Sequence, residues 1–125
     1  TGALPERNEA AIPLLASGLL YLGSAIAPYV HALDARSGLL VWEIPTRGAV
    51  KGGIVAVDGI VYFGDLGGYL WAVDAKTGRV LGEKFMHTRF NVGSPVVDGK
   101  TLFIGSDDGS VIAVPLDAIR SSHDS

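Results

Sequence analysis

Apolar residues occur along the chain in short runs, such as 60–63 (IVYF) and 102–104 (LFI), separated by glycine-rich polar pairs and triplets. The runs are nearly continuous rather than cleanly alternating, which predicts strands covered on both faces. Their separators have turn chemistry. Asp58-Gly59 and Asp98-Gly99 are the pairs favoured in two-residue hairpins, where positive φ is needed, and Ser17-Gly18 occupies the equivalent place upstream. A second turn is predicted at Leu66-Gly67-Gly68 and at Asp107-Asp108-Gly109. A third strand follows over 69–74, then a turn at Ala75-Lys76-Thr77-Gly78, and a fourth strand begins at Arg79.

These elements recur. Gly18, Gly59 and Gly99 are 41 and 40 residues apart; Gly23, Gly64 and Gly105 are 41 and 41 apart; Ala32, Ala72 and Ala113 are 40 and 41 apart. Four short strands in a unit of about 40 residues predict an all-β fold of β-propeller blades. The repeat divides the chain into an N-terminal extension or remnant of a preceding blade (1–10), blade 1 (11–51), blade 2 (52–92), blade 3 (93–116) and a polar C-terminal tail (117–125). The third blade is expected to lack its outer strand, because Pro115 breaks the pattern and a helical turn and frayed tail follow. Residues 10–30 carry no charge, but Pro13, Pro28, Gly18 and Gly23 interrupt them in register with the later repeats, which argues against a membrane helix.

The third strand and its turn carry a resemblance. Ala32, Asp34, Gly38 and Trp42 fall in an A-x-D-x-x-x-G-x-x-x-W pattern that resembles the tryptophan-docking motif of quinoprotein-like propellers, named after pyrroloquinoline quinone (PQQ). The second copy keeps Ala72, Asp74 and Gly78 but has Gly82 in place of Trp; the third keeps Ala113 and breaks at Pro115. The residues themselves suggest packing roles. The small alanines permit close approach of neighbouring sheets, the aspartates accept turn N–H groups, the glycines supply left-handed backbone, and Trp42 offers a flat surface to the next blade.

Composition narrows the function classes. Glycine supplies 17 of 125 residues, about twice average usage. A hydrophobic fraction of 48 % with 18 % charged residues excludes a disordered chain. Net charge is −3, which leaves no cationic excess for nucleic acid. With no cysteine, a disulfide framework, a zinc–thiolate centre and a cysteine nucleophile are excluded, and the compartment stays open, periplasmic or extracytoplasmic included.

Relatives of this propeller type, by resemblance, are either quinoprotein dehydrogenases, which hold PQQ with calcium on the propeller axis, or scaffolds and sensor domains that bind other proteins. No cofactor or metal ligand set stands out here. Asp58, Asp98, Asp107 and Asp108 fall in hairpin turns, and His31, His87 and His123 are scattered. The expectation is therefore a non-catalytic, protein-binding propeller segment without cofactor, with part of a PQQ- and calcium-dependent oxidoreductase as the alternative. The links between blades both contain Thr-Arg, so Arg47, Lys51, Arg89 and Asn91 are candidates for binding a carboxylate or acidic peptide on one rim. Three blades leave two sheet faces to be covered, by further blades of a longer chain or by another copy, the former being favoured. The 110–114 strand is a candidate edge for strand addition.

Overall fold

The computed structural model describes residues 13–24, 27–50, 52–90 and 95–122. Among the described residues, eleven strands form three antiparallel sheets in chain order. Sheet 1 contains β1 (Leu14–Ala16), β2 (Leu19–Gly23), β3 (Tyr29–Asp34) and β4 (Leu40–Pro45). Sheet 2 repeats it with β5 (Val55–Val57), β6 (Ile60–Gly64), β7 (Tyr69–Asp74) and β8 (Val80–Phe85). Sheet 3 has β9 (Val96–Asp98), β10 (Thr101–Gly105) and β11 (Val111–Pro115), followed by a short helix, α1 (Leu116–Arg120). The chain is thus an all-β array of propeller blades. No helix among the described residues is long and apolar enough to cross a membrane.

Local chemistry makes the turns. Ser17-Gly18 and Asp58-Gly59 take positive φ at both residues, as tight hairpins between twisted strands require. At the third turn Asp34 Oδ1 accepts the Arg36 and Ser37 N–H groups, and Asp74 Oδ1 accepts those of Lys76 and Thr77. These bonds hold both carboxyls below the ordinary range, the bond from Ser37 or Thr77 contributing most. Asp34 N–H and Asp74 N–H in turn reach Leu39 O and Arg79 O and start the outer strand.

Two apolar layers hold the sheets together. Tyr21, Val30, Ala32 and Trp42 of sheet 1 pack on Val61, Phe63, Trp71 and Val73 of sheet 2. The other face of sheet 2, with Tyr62, Leu70 and Ala72, packs on Leu102, Ile104 and Val114 of sheet 3. Alternate residues of β6 and β7 therefore go to opposite neighbours, which is why these strands read as continuous apolar runs. In the first layer the Trp42 ring lies on the turn of sheet 2: its Nε1–H donates to Ala75 O at 3.0 Å, beside the Tyr21 hydroxyl, and a Cβ on Gly78 would come within 2.7 Å of the ring.

The second layer is built the other way round. Gly82 and Ile119 follow Trp42 and Gly78 by 40 and 41 residues. Ile119 is fully buried, and a Cβ on Gly82 would collide with the Ile119 carbonyl. The large side and the small side of the contact have changed places. The helical turn expected after Pro115 is α1, which buries Leu116 and Ile119, and Ser122 O accepts the Glu83 N–H on the outer strand of sheet 2.

Candidate functional site

The rim formed by the blade links is assembled twice from the same parts. Between β4 and β5, the link through Thr46-Arg47-Gly48 runs against the β6–β7 turn. Leu66 N–H donates to Ala49 O at 2.9 Å, and a Cβ on Gly67 would approach Arg47 O to 2.7 Å, so only glycine fits this crossing. Between β8 and β9, the link through Thr88-Arg89-Phe90 meets the β10–β11 turn: Asp107 N–H donates to Arg89 O at 2.8 Å, and the Thr88 and Ser106 hydroxyls bond at 2.7 Å.

At the first of these corners lies Asp65, a fully buried carboxylate. Its Oδ2 accepts Trp71 Nε1–H at 2.8 Å and Arg47 N–H at 3.0 Å, while Oδ1 accepts Tyr69 N–H at 3.1 Å. Burial pushes its pKa up, and the hydrogen bonds pull against that shift. One side chain thus fixes the link, the turn and the Trp71 indole. Sequence reasoning missed Asp65. The available signal was its column: the residues following Gly23, Gly64 and Gly105 are Ser24, Asp65 and Ser106, and only the middle one is charged.

Arg47 leaves this corner with its charge engaged. Its Nη2 donates to Glu83 Oε1 at 2.9 Å and its guanidinium stands 5.2 Å over the Tyr69 ring; the hydrogen bond and charge of Glu83 raise its pKa. Tyr69 continues into Phe85 at 5.0 Å, and Phe85 into His87 at 4.4 Å. Beside them a cleft of about 410 Å³ is lined by Ile44, Pro45, Thr46, Trp71, Val80 and the Arg47–Glu83 pair. Arg89 is exposed on the second link. Lys51 and Asn91 lie outside the described residues.

The remaining acidic and imidazole groups are dispersed. Asp108 accepts both the Ser110 hydroxyl (2.6 Å) and the Ser110 N–H (3.0 Å) together with the Ser106 hydroxyl (2.9 Å), the Ser110 hydroxyl doing most to push its pKa down to about 2. His31 stands 3.8 Å from Glu43 on the outward face of sheet 1. Among the described residues, no group of three or more His, Cys, Asp or Glu side chains could hold a metal ion. A quinone held with calcium needs converging oxygen ligands and unengaged cations. Among the described residues, Asp34, Asp74 and Asp108 are engaged by turn donors and Arg47 by Glu83.

A family model described as outer membrane protein assembly factor BamB matches residues 4–117. Tetrathionate hydrolase of Acidithiobacillus ferrooxidans is 28 % identical over 113 residues, which cover 86 % of this chain and 22 % of the hydrolase. Among solved structures, quinohemoprotein alcohol dehydrogenase ADHIIG of Pseudomonas putida HK5 superposes with a TM-score of 0.72 at 30 % identity, over 85 % of this chain and 19 % of that one. BamB of Moraxella catarrhalis superposes with a TM-score of 0.69 at 19 % identity, over 84 % of this chain and 31 % of that one, and shares the fold. The chain spans less than a third of each of these relatives. A hydrolase, a dehydrogenase and an assembly factor carry the same blades, so the architecture is common to all three while the activities differ. With the repeat, the three sheets and the match over residues 4–117 in agreement, the chain belongs to the PQQ-repeat β-propeller family described as outer membrane protein assembly factor BamB.

Proposed function

We propose that the chain is a run of consecutive blades of a longer PQQ-type propeller and that its role is non-catalytic, a scaffold that binds protein. One observation carries the first half. Tyr21, Val30 and Ala32 of sheet 1 and Tyr62, Leu70 and Ala72 of sheet 2 are at most 1 % exposed, each set covered by the following sheet. Their repeat equivalents in sheet 3 are Phe103, at 36 %, Val111, at 70 %, and exposed Ala113. A face buried in two copies and bare in the third is shaped for one more sheet of the same kind. On the opposite end of the stack, Leu20, Leu22, His31 and Leu33 stand where sheet 2 has Val61, Phe63, Trp71 and Val73.

The protein-binding half rests on the chemistry of the rim. Among the described residues of the rim, Asp65, Thr88 and Ser106 are engaged in holding links to turns. The Arg47–Tyr69–Phe85–His87 row instead offers a partner a cation and aromatic surface of the sort that dominates protein interfaces. Arg47, Arg89, Lys51 and Asn91 are its proposed polar contacts.

The second reading, a share in a quinoprotein oxidoreductase, is favoured by the 30 % identity to the quinohemoprotein dehydrogenase. Titrating the 125-residue chain with PQQ and calcium while following the fluorescence of Trp42 and Trp71 separates the two. The scaffold reading expects no saturable quenching. Saturable quenching that requires both components would overturn it in favour of the oxidoreductase.

A further inference from the structure

The outer strands of sheets 1 and 2 are tied together at two points. At the turn over 75–78 the Trp42 indole lies on sheet 2, and at the rim Arg47 Nη2 meets Glu83 Oε1 at 2.9 Å. The cleft is lined by residues that lie between these contacts along the chain. Ile44, Pro45 and Thr46 come from the sheet 1 side, Trp71 of β7 and Val80 of β8 from the sheet 2 side. Its volume of about 410 Å³ falls within the range of small-molecule sites, about 300–1,000 Å³. Trp71 lends it only apolar ring surface, because the indole N–H is already bonded to Asp65.

The polar end of the cleft is the Arg47–Glu83 pair, whose side chains are 40 % and 13 % exposed. The pair is only half used. Among the described residues, Glu83 Oε2 accepts no hydrogen bond, and Arg47 Nε and Nη1 donate none. A guanidinium carries five N–H donors and a carboxylate two oxygens, so both keep capacity for a ligand without giving each other up. Their placement needs no ligand. Tyr69 supports the guanidinium from 5.2 Å, and Asp65 Oδ2 accepts the Arg47 backbone N–H at 3.0 Å.

Two opposite charges in contact select a ligand that carries the same feature. An anion on Arg47 meets the repulsion of Glu83, and a cation on Glu83 meets that of the guanidinium; a zwitterion satisfies both. Its charges must sit a few bonds apart, beside an apolar body that matches Ile44, Pro45, Val80 and the Trp71 ring. We propose that the cleft binds a free apolar α-amino acid, its carboxylate accepting from Arg47, its ammonium donating to Glu83 Oε2 and its side chain lying between β4 and β8. A residue inside any polypeptide, of this chain or another, has spent its α-amino and α-carboxyl groups in peptide bonds and does not present that pair of charges. Such a site adds small-molecule recognition to the scaffold role and stands whether or not the rim binds protein.

The test is an NMR titration of the 125-residue chain with L-leucine and with L-phenylalanine, read at the Trp71 indole N–H and the Val80 methyl groups. Analogues lacking one charge are titrated in parallel: 4-methylpentanoate and 3-methylbutylamine for leucine, 3-phenylpropanoate and 2-phenylethylamine for phenylalanine. The expected result is saturable shifts at both reporters with at least one of the amino acids, and affinity about tenfold or more weaker for each of its analogues. Glu83→Gln should lose affinity by a similar factor, with an unmoved Trp42 indole resonance showing that the fold is intact. Absence of saturable shifts with both amino acids up to about 10 mM would overturn the assignment. So would equal binding of an amino acid and either of its analogues, shifts that spare Trp71 and Val80, or unchanged affinity in Glu83→Gln. The analogue comparison uses the parent chain alone and decides the matter even where the variant does not fold.

Discussion

At the scale of the residue, two tryptophans do different work through the same indole N–H. Trp42 donates to Ala75 O, which also receives the Tyr21 hydroxyl, so deleting the indole donor leaves that carbonyl satisfied. Trp71 donates to the buried Asp65 carboxylate, where every lost donor is felt by a charge. The hydrogen-bond share of Trp42→Phe is about 0.5–1.5 kcal/mol and that of Trp71→Phe about 1.5–3 kcal/mol. Urea midpoints should therefore fall further for Trp71→Phe; equal losses would contradict the role given to Asp65. The carboxyls also set the pH response. Asp108 is held at about 2, below its ordinary value of 3.8, so its contribution is present above 3.8 and is lost as pH falls through about 2. Asp34 and Asp74 act in the same direction. Asp65, raised by burial, acts oppositely: its contribution is full below the ordinary carboxyl value and is lost as pH rises through its own. Urea melts between about pH 4 and pH 2 should show a shallower acid loss for Asp108→Asn than for the parent chain. An unchanged slope would contradict the assignment.

At the scale of the element, the exchange of bulk between Trp42–Gly78 and Gly82–Ile119 determines how the last sheet is closed. Ile119→Ala should cost about 2–5 kcal/mol, as for other buried aliphatic truncations. Gly82→Ala forces a methyl into the α1 backbone and should cost about 1–3 kcal/mol, with faster exchange at the Glu83 N–H as α1 lifts from β8. Exchange at Glu83 that stays slow would contradict this packing. The sequence revealed the repeat because hairpin chemistry is local: Asp58-Gly59 and the 40- and 41-residue spacings need no knowledge of partners. Gly82 was legible only as a departure from a pattern. Its reason lies in Ile119, in a different repeat, and periodicity within one copy is blind to that pairing. The tail after Pro115 reads as polar by composition, yet Leu116 and Ile119, three apart, were the trace of its buried side. Asp65 was hidden for a related reason, since its importance comes from Arg47 and Trp71 meeting around it.

At the scale of the whole molecule, the described residues have an apolar layer between each pair of sheets and an exposed apolar face at each end. Val111, Phe103 and Val96 at one end, and Leu15, Val41 and Tyr29 at the other, are large apolar side chains in contact with water. Soluble monomers rarely leave such groups in contiguous patches. Val111→Lys should reduce self-association while shifting the unfolding midpoint by no more than about 0.5 kcal/mol, because the side chain is 70 % exposed and no intramolecular packing is lost. The most direct measurement is light scattering after size exclusion of the 125-residue chain, with binding of a hydrophobic dye followed on the same fractions. The account predicts either a species larger than 13.0 kDa or a 13.0 kDa monomer that binds the dye strongly. A 13.0 kDa monomer silent to the dye would contradict it, because both end faces would then already be covered within the chain.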